Sequence, residues 1–156
     1  MNDNDPLFLG AVAYDEGGLL LYSTLAMAWL IVGQMQNAEC GMRNENLSTA
    51  SHSSFCIHHS ALIAGLCAGF ACGCKLTAVP ITLIALPIIV FICKPSKKMF
   101  AAALLYGFVG VLAFSPWLIR NQVWAHNPVF PEGMSVFSHG YFTPIQVARW
   151  HQAHSP

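Results

Sequence analysis

The chain has 156 residues, 55% of them hydrophobic and 9% charged, against roughly 25% charged in an ordinary soluble domain. Water is therefore not its main solvent. Lysine plus arginine equals aspartate plus glutamate at seven each, so there is no basic field to hold nucleic acid and no acidic face to hold cations. Partners are to be sought in membrane lipid, with no nucleic acid among them.

The amino end reads "MNDNDPLFLGAVAYDEGG", and no lysine or arginine occurs before Arg43. It lacks the positive n-region of a secretory signal peptide and moves at once into sequence of mid-domain character. The expectation is a fragment, whose further partners are missing helices of the same protein. Tyr14, Asp15 and Glu16 stand at the mouth of the first apolar stretch. Paired carboxylates there can bind a metal, orient a sugar hydroxyl or act as a general base; alternatively, two acids at a helix start complement the helix dipole. No basic residue neighbours the pair in sequence, so its neutralisation is expected from water, a ligand or an absent part of the protein.

Four apolar stretches follow: about 18–32, 61–74, 76–93 and 99–119. At 1.5 Å per residue, roughly 20 residues cross a hydrocarbon core about 30 Å thick, so only the last is comfortably long. The second and third are separated by Lys75 alone. Together they exceed one crossing, and a break is expected near "CGCKLT". That break places Lys75 either in a functional cavity at membrane depth or in a tight hairpin whose lysine reaches the headgroups. Gly65, Gly69 and Gly73 recur every four residues, with Ala61 on the same stripe, as close helix approach requires. Pro80 and Pro87 favour kinks in the third stretch.

Orientation follows from "KPSKK" at 94–98, a short loop holding three of the seven basic residues, which stays cytoplasmic. The loop 34–59 is then cytoplasmic, while Asp15, Glu16, Lys75 and everything beyond residue 120 face outward. Asn46-Leu47-Ser48 matches a glycosylation acceptor pattern on the wrong side and is read as chance.

Cys67, Cys72, Cys74 and Cys93 lie within apolar runs and read as small packing residues. Cys56, His58 and His59, with His126, His139, His151 and His154 downstream, match no closed zinc spacing. No phosphate-cradling glycine loop, nucleophile elbow or triad is present. The fourth stretch closes in "SPWLIRNQVWAHNPVFP". Trp117 and Trp124 suit the lipid–water interface, while Arg120 and Asn121 beside a proline-stiffened turn can hold a lipid phosphate by charge-assisted hydrogen bonds or serve structure alone. The tail 136–156 fits an outer loop or amphipathic surface segment.

In "GLCAGFACGCKLTAVPITLIALP" the residues Gly65, Gly69, Lys75, Thr77, Ala78 and Pro87, followed by Pro116, Trp117, Arg120, Asn121, Asn127, Pro128, Phe130 and Pro131, resemble the integral-membrane glycosyltransferases of the C superfamily. The protein mannosyltransferase-like and RgtA/B/C/D-like enzymes are the nearest in pattern, over roughly residues 10–135. The resemblance implies transfer of a sugar from a polyprenyl-phosphate donor to an acceptor hydroxyl at the extracytoplasmic face, with Lys75 and Arg120 on the phosphate side. The acids of "YDEGG" would line the same cavity. The family's first outer loop, which usually carries the catalytic base, has no counterpart here, so the base is unassigned.

The expectation is thus an all-α membrane protein of about four transmembrane helices, part of a larger polytopic glycosyltransferase C-type bundle. Residues 1–135 would form a partial transmembrane domain in the plasma membrane of a bacterium. Substrate-binding candidates are Asp15, Glu16, Lys75, Arg120 and Asn121. No cofactor is expected, and nothing in the spacings supports a divalent metal. The rival readings are a transporter fragment and a noncatalytic membrane remnant.

Overall fold

In a computed structural model, the described residues are 6–42, 49–93 and 95–154, with side chains described for 16–36, 38 and 56–153 apart from Lys94. They form α1 (Pro6–Met42), α2 (Thr49–Cys74), a π-helical segment (Val79–Ala85) continuing into α3 (Leu86–Cys93), α4 (Lys97–Ala125) and α5 (Pro144–His154). No strand occurs among the described residues. Three helices are long and apolar enough to cross a membrane, over Glu16–Gln36, Cys56–Cys74 and Lys97–Ala125, while Val79–Cys93 is a shorter apolar element. The expected four spans are therefore three long helices and one short one. The interval 34–59, read as a loop, is largely helical: α1 runs on through "MQNAECGM", rich in good helix formers, and α2 begins at Thr49. The Asn46-Leu47-Ser48 triplet lies outside the described residues.

The chain divides into two compact units, Met1–Phe114 and Ser115–Pro156. In the first, successive elements alternate in direction. Gly18 meets Cys74, Tyr22 meets Phe70, Trp29 meets His59 and Gly33 meets Ser60, an order that only antiparallel α1 and α2 produce. Ala26, Leu30, Ile57, Ala61, Ala64, Ala68, Met99, Ala102 and Tyr106 make the core. It is a core of small residues, and glycine explains how closely its helices approach. A Cβ on Gly65 would stand 2.5 Å from the Tyr106 carbonyl oxygen, and one on Gly69 would stand 2.5 Å from that of Gly110. So α2 and α4 touch backbone to backbone, as small-residue stripes permit. Gly73, the third member of the stripe, meets nothing within 4 Å.

The break at Lys75 is present. Helix α2 ends at Cys74, the carbonyls of Lys75 and Leu76 accept from the amides of Ala78 and Val79, and the next helical segment starts with Pro80 in its first turn, where a missing N–H costs nothing. The π geometry that follows has a cause in Pro87. The Leu86 amide donates to the Ile81 carbonyl, an i→i−5 bond. In that register the Thr82 carbonyl should receive the amide of residue 87, which is proline and has no hydrogen. Tyr106, fully buried on α4, fills the gap, its hydroxyl donating to Thr82 O at 2.5 Å.

The second unit is built on the end of α4. His126 adopts a left-handed conformation (φ 52°) that stops the helix, as a residue just past a C-terminus often does. Ala125, Phe130 and Met134 form its core, with Phe142, Val147 and Trp150 packed against them. Thr143 and Gln146 make a capping box at the start of α5: the Gln146 side chain accepts the Thr143 amide at 2.8 Å, and the Thr143 hydroxyl accepts the Gln146 amide at 3.4 Å. The tail read from sequence as a loop or surface segment thus contains a capped helix packed on the turn before it.

Candidate functional sites

The first candidate site lies in the first unit. Glu16 sits at the start of the apolar stretch of α1, and Lys75 at the break after α2. Antiparallel packing of the two helices brings these ends together, and Lys75 Nζ forms an ion pair with the Glu16 carboxylate. Both side chains are about half exposed, 46% for Lys75 and 49% for Glu16. The expectation that no basic residue of the chain neutralises the acids is corrected here for Glu16. Its partner is 59 residues away, which a search of sequence neighbours could not find. Asp15 falls within α1, but its side chain and that of Tyr14 lie outside the described residues. An exposed pair of this kind contributes little to stability, about 0–1 kcal/mol. It remains exchangeable, because each partner can leave for an external ion of the right sign at small cost.

The second candidate site lies in the second unit. Arg120 is exposed and its guanidinium sits 4.9 Å from the centre of the Trp124 ring, one helical turn further on and at cation–π distance. The adjacent Asn121 is turned to structure: its amide donates to the Phe130 carbonyl at 3.3 Å. Asn127, by contrast, is wholly buried. Its amide nitrogen donates to the carbonyls of Glu132 (2.8 Å) and Ser138 (3.3 Å), and its carbonyl accepts the Val129 amide at 3.0 Å. One side chain thereby ties together three points of the turn. Phe130 packs against Tyr141 and Phe142 with ring centres 4.9 and 4.8 Å away. Trp117 also makes a contact.

Of the sequence-predicted residues, the structure joins Glu16 with Lys75 in one unit and places Arg120 beside Trp124 in the other. The cap motif has a clear structural office in Asn121 and Asn127, and Arg120 is its exposed charge. Sequence reasoning missed the helical π segment and the buried tyrosine bound to it; proline seven residues after another in an apolar run was the available signal. Cys56 and His59 line a cavity of about 160 Å³ with Trp29, Gln36 and Ser60. Among the described residues no group of three or more histidines, cysteines or acids is placed to hold a metal ion.

A family model described as a domain of unknown function (DUF8201) matches residues 42–155, a span that takes in Lys75, Arg120 and Asn121. No curated protein and no solved structure matches the chain.

Proposed function

The chain belongs to the family described as a domain of unknown function, DUF8201, and from its own residues we propose that it is part of a polytopic membrane glycosyltransferase. It takes a sugar from a polyprenyl-phosphate donor and passes it to an acceptor hydroxyl at the extracytoplasmic face, in the plasma membrane of a bacterium. The observation that supports this reading is the Glu16–Lys75 pair. It sets an exchangeable cation beside an exchangeable carboxylate at the ends of helices long and apolar enough to cross a bilayer.

The chemistry asked of such a pair is simple. The acceptor oxygen attacks the anomeric carbon, the bond from that carbon to the phosphate oxygen breaks, and the lipid phosphate departs carrying the electron pair. Lys75 exchanges Glu16 for the phosphate and offsets its growing charge. Glu16, once released, accepts a hydrogen bond from the acceptor hydroxyl and orients it. The base that finally takes the proton is left unassigned, and Asp15 is a neighbour in sequence. In the second unit Arg120 is a separate candidate for contact with a lipid phosphate, and Asn121 shapes the turn behind it.

The test is sugar transfer in membranes containing the intact protein of which this chain is part, with a radiolabelled polyprenyl-phosphate sugar as donor. Lys75→Gln and Arg120→Ala are each expected to lower transfer at least tenfold, a change of about 1.4 kcal/mol in activation free energy. Unchanged donor use in both variants sinks the assignment. A transporter is the rival favoured by the break at Lys75 between α2 and the π segment, since interrupted helices line many transport sites. Movement of substrate into sealed vesicles with no new glycosidic bond would decide for it.

A further inference from the structure

Helix α1 carries a single stripe of residues three or four apart, Glu16, Leu20, Ser23, Met27, Leu30 and Gln34. It faces the π segment and α3, and the two elements run in the same direction. They meet at two polar bridges: the Ser23 and Thr82 hydroxyls 3.4 Å apart, and Gln34 Nε2 donating to the Val90 carbonyl at 3.2 Å. Between and around these bridges lie two cavities of about 170 and 240 Å³, and Met27 and Leu86 line both. The two cavities adjoin at these shared residues, and the slot they make up is lined on α1 from Leu20 to Gln34, about 21 Å at 1.5 Å per residue. Its outer edges are apolar and exposed, with Leu20 69%, Ile31 51%, Ile81 70% and Ile89 56% accessible.

A helix with its side chains is about 10 Å across and cannot enter between elements already joined by hydrogen bonds at both ends. Water finds few partners on an apolar wall. A single hydrocarbon chain, unlike a helix, is slender enough to lie along the apolar residues that line the two cavities. Charge selects the head. One turn above Leu20 stands Glu16, paired with Lys75, and a neighbouring cation and anion complement a headgroup that itself carries a phosphate and an ammonium.

We propose that the slot between α1 and the π–α3 element is a site for one acyl chain of a zwitterionic aminophospholipid, whose phosphate and ammonium engage Lys75 and Glu16. The site rests on the membrane insertion contained in the proposed function and not on glycosyl transfer. Phospholipid and sugar donor then contend for Lys75.

The test is electron spin resonance of the full chain in vesicles of phosphatidylcholine doped with chain-spin-labelled phosphatidylethanolamine. An immobilised lipid component is expected, and Met27→Trp, which fills the slot, should reduce it about tenfold, while Leu62→Trp on an exposed face away from the slot should leave it unchanged. Should Met27→Trp fail to fold by circular dichroism, Ile89→Trp fills the slot from the other wall. Glu16→Gln should reduce the preference for phosphatidylethanolamine over phosphatidylglycerol about two- to fivefold, the scale of an exposed ion pair. An immobilised component that survives both filling variants overturns the proposal, as does its absence from wild type shown to be inserted by flotation with the vesicles. Displacement of the spin-labelled lipid by polyprenyl phosphate at equal concentration that persists in Lys75→Gln, where the shared headgroup cation is gone, assigns the slot to the carrier and overturns the proposal. Failure of flotation removes the membrane reading itself, which separates the two outcomes.

Discussion

Tyr106→Phe removes one oxygen from a side chain that is fully buried and leaves its ring in place, so the loss reports on the hydrogen bond to Thr82 O alone. Hydrogen bonds between helices in a membrane average about 0.6 kcal/mol, because a freed partner usually finds another. Here it does not: the Leu86 amide is committed to Ile81 O, and Pro87 has no hydrogen to offer. The variant should therefore carry the larger cost of an orphaned buried carbonyl, about 1–2 kcal/mol within the usual range of 1–3. Reversible unfolding in mixed micelles, followed by circular dichroism, measures it. The same substitution in a Pro87→Ala background is the decisive control, since residue 87 then has an amide to give to Thr82 O. The penalty there should fall below about 0.5 kcal/mol, a coupling that additivity of independent sites would not produce. Equal penalties in the two backgrounds, or none in the wild type, would refute the account of the π segment.

Other expectations follow from the packing and the two candidate sites. Gly65→Ala and Gly69→Ala should each cost about 1–3 kcal/mol, the usual result of overpacking, since their new methyl groups would press on the carbonyls of Tyr106 and Gly110; Gly73→Ala, with nothing within 4 Å, should be neutral in the same unfolding assay. Asn127→Ala strips three backbone groups of their partner and should lower stability by at least about 2 kcal/mol, read as faster proteolysis across residues 127–143. Thr143→Ala should cost α5 about 1 kcal/mol through its lost cap, seen as reduced amide protection in the first turn. Glu16→Gln should change unfolding by less than about 1 kcal/mol, because the pair is half exposed and screened by salt, and any large loss of sugar transfer in that variant then reports function and not folding.

Local pattern carries much of the helical architecture. Apolar runs, the lysine between two of them and the prolines after it were enough to place the apolar half of α2, the break at Lys75 and the core of α4, because each is set by hydropathy and by backbone chemistry within a few residues. The glycine stripe announced a close contact, although Gly73 shares its spacing without sharing the contact; spacing fixes a face, and only the partner helix decides how far along that face the contact runs. The capping box of Thr143 and Gln146 was legible in principle, being a short-range motif, and lay hidden in a tail that composition marked as surface. The candidate sites divide along the same line. Arg120 and Trp124 are one turn apart, so their pairing is written in the helix period. Glu16 and Lys75 are not: two separately ordinary helix ends become a charge pair only when α1 and α2 pack antiparallel. Thr82, Pro87 and Tyr106 make the same point inside the core, where a missing proline hydrogen on one element is supplied by a hydroxyl from another. By itself the amino-acid sequence determined where the apolar runs lie, where one of them is broken and which faces are small, since those depend on neighbours in the chain; the tertiary structure decided how far the helices run beyond the apolar stretches and which polar groups are satisfied and by whom, since a buried donor and its acceptor need only be neighbours in space.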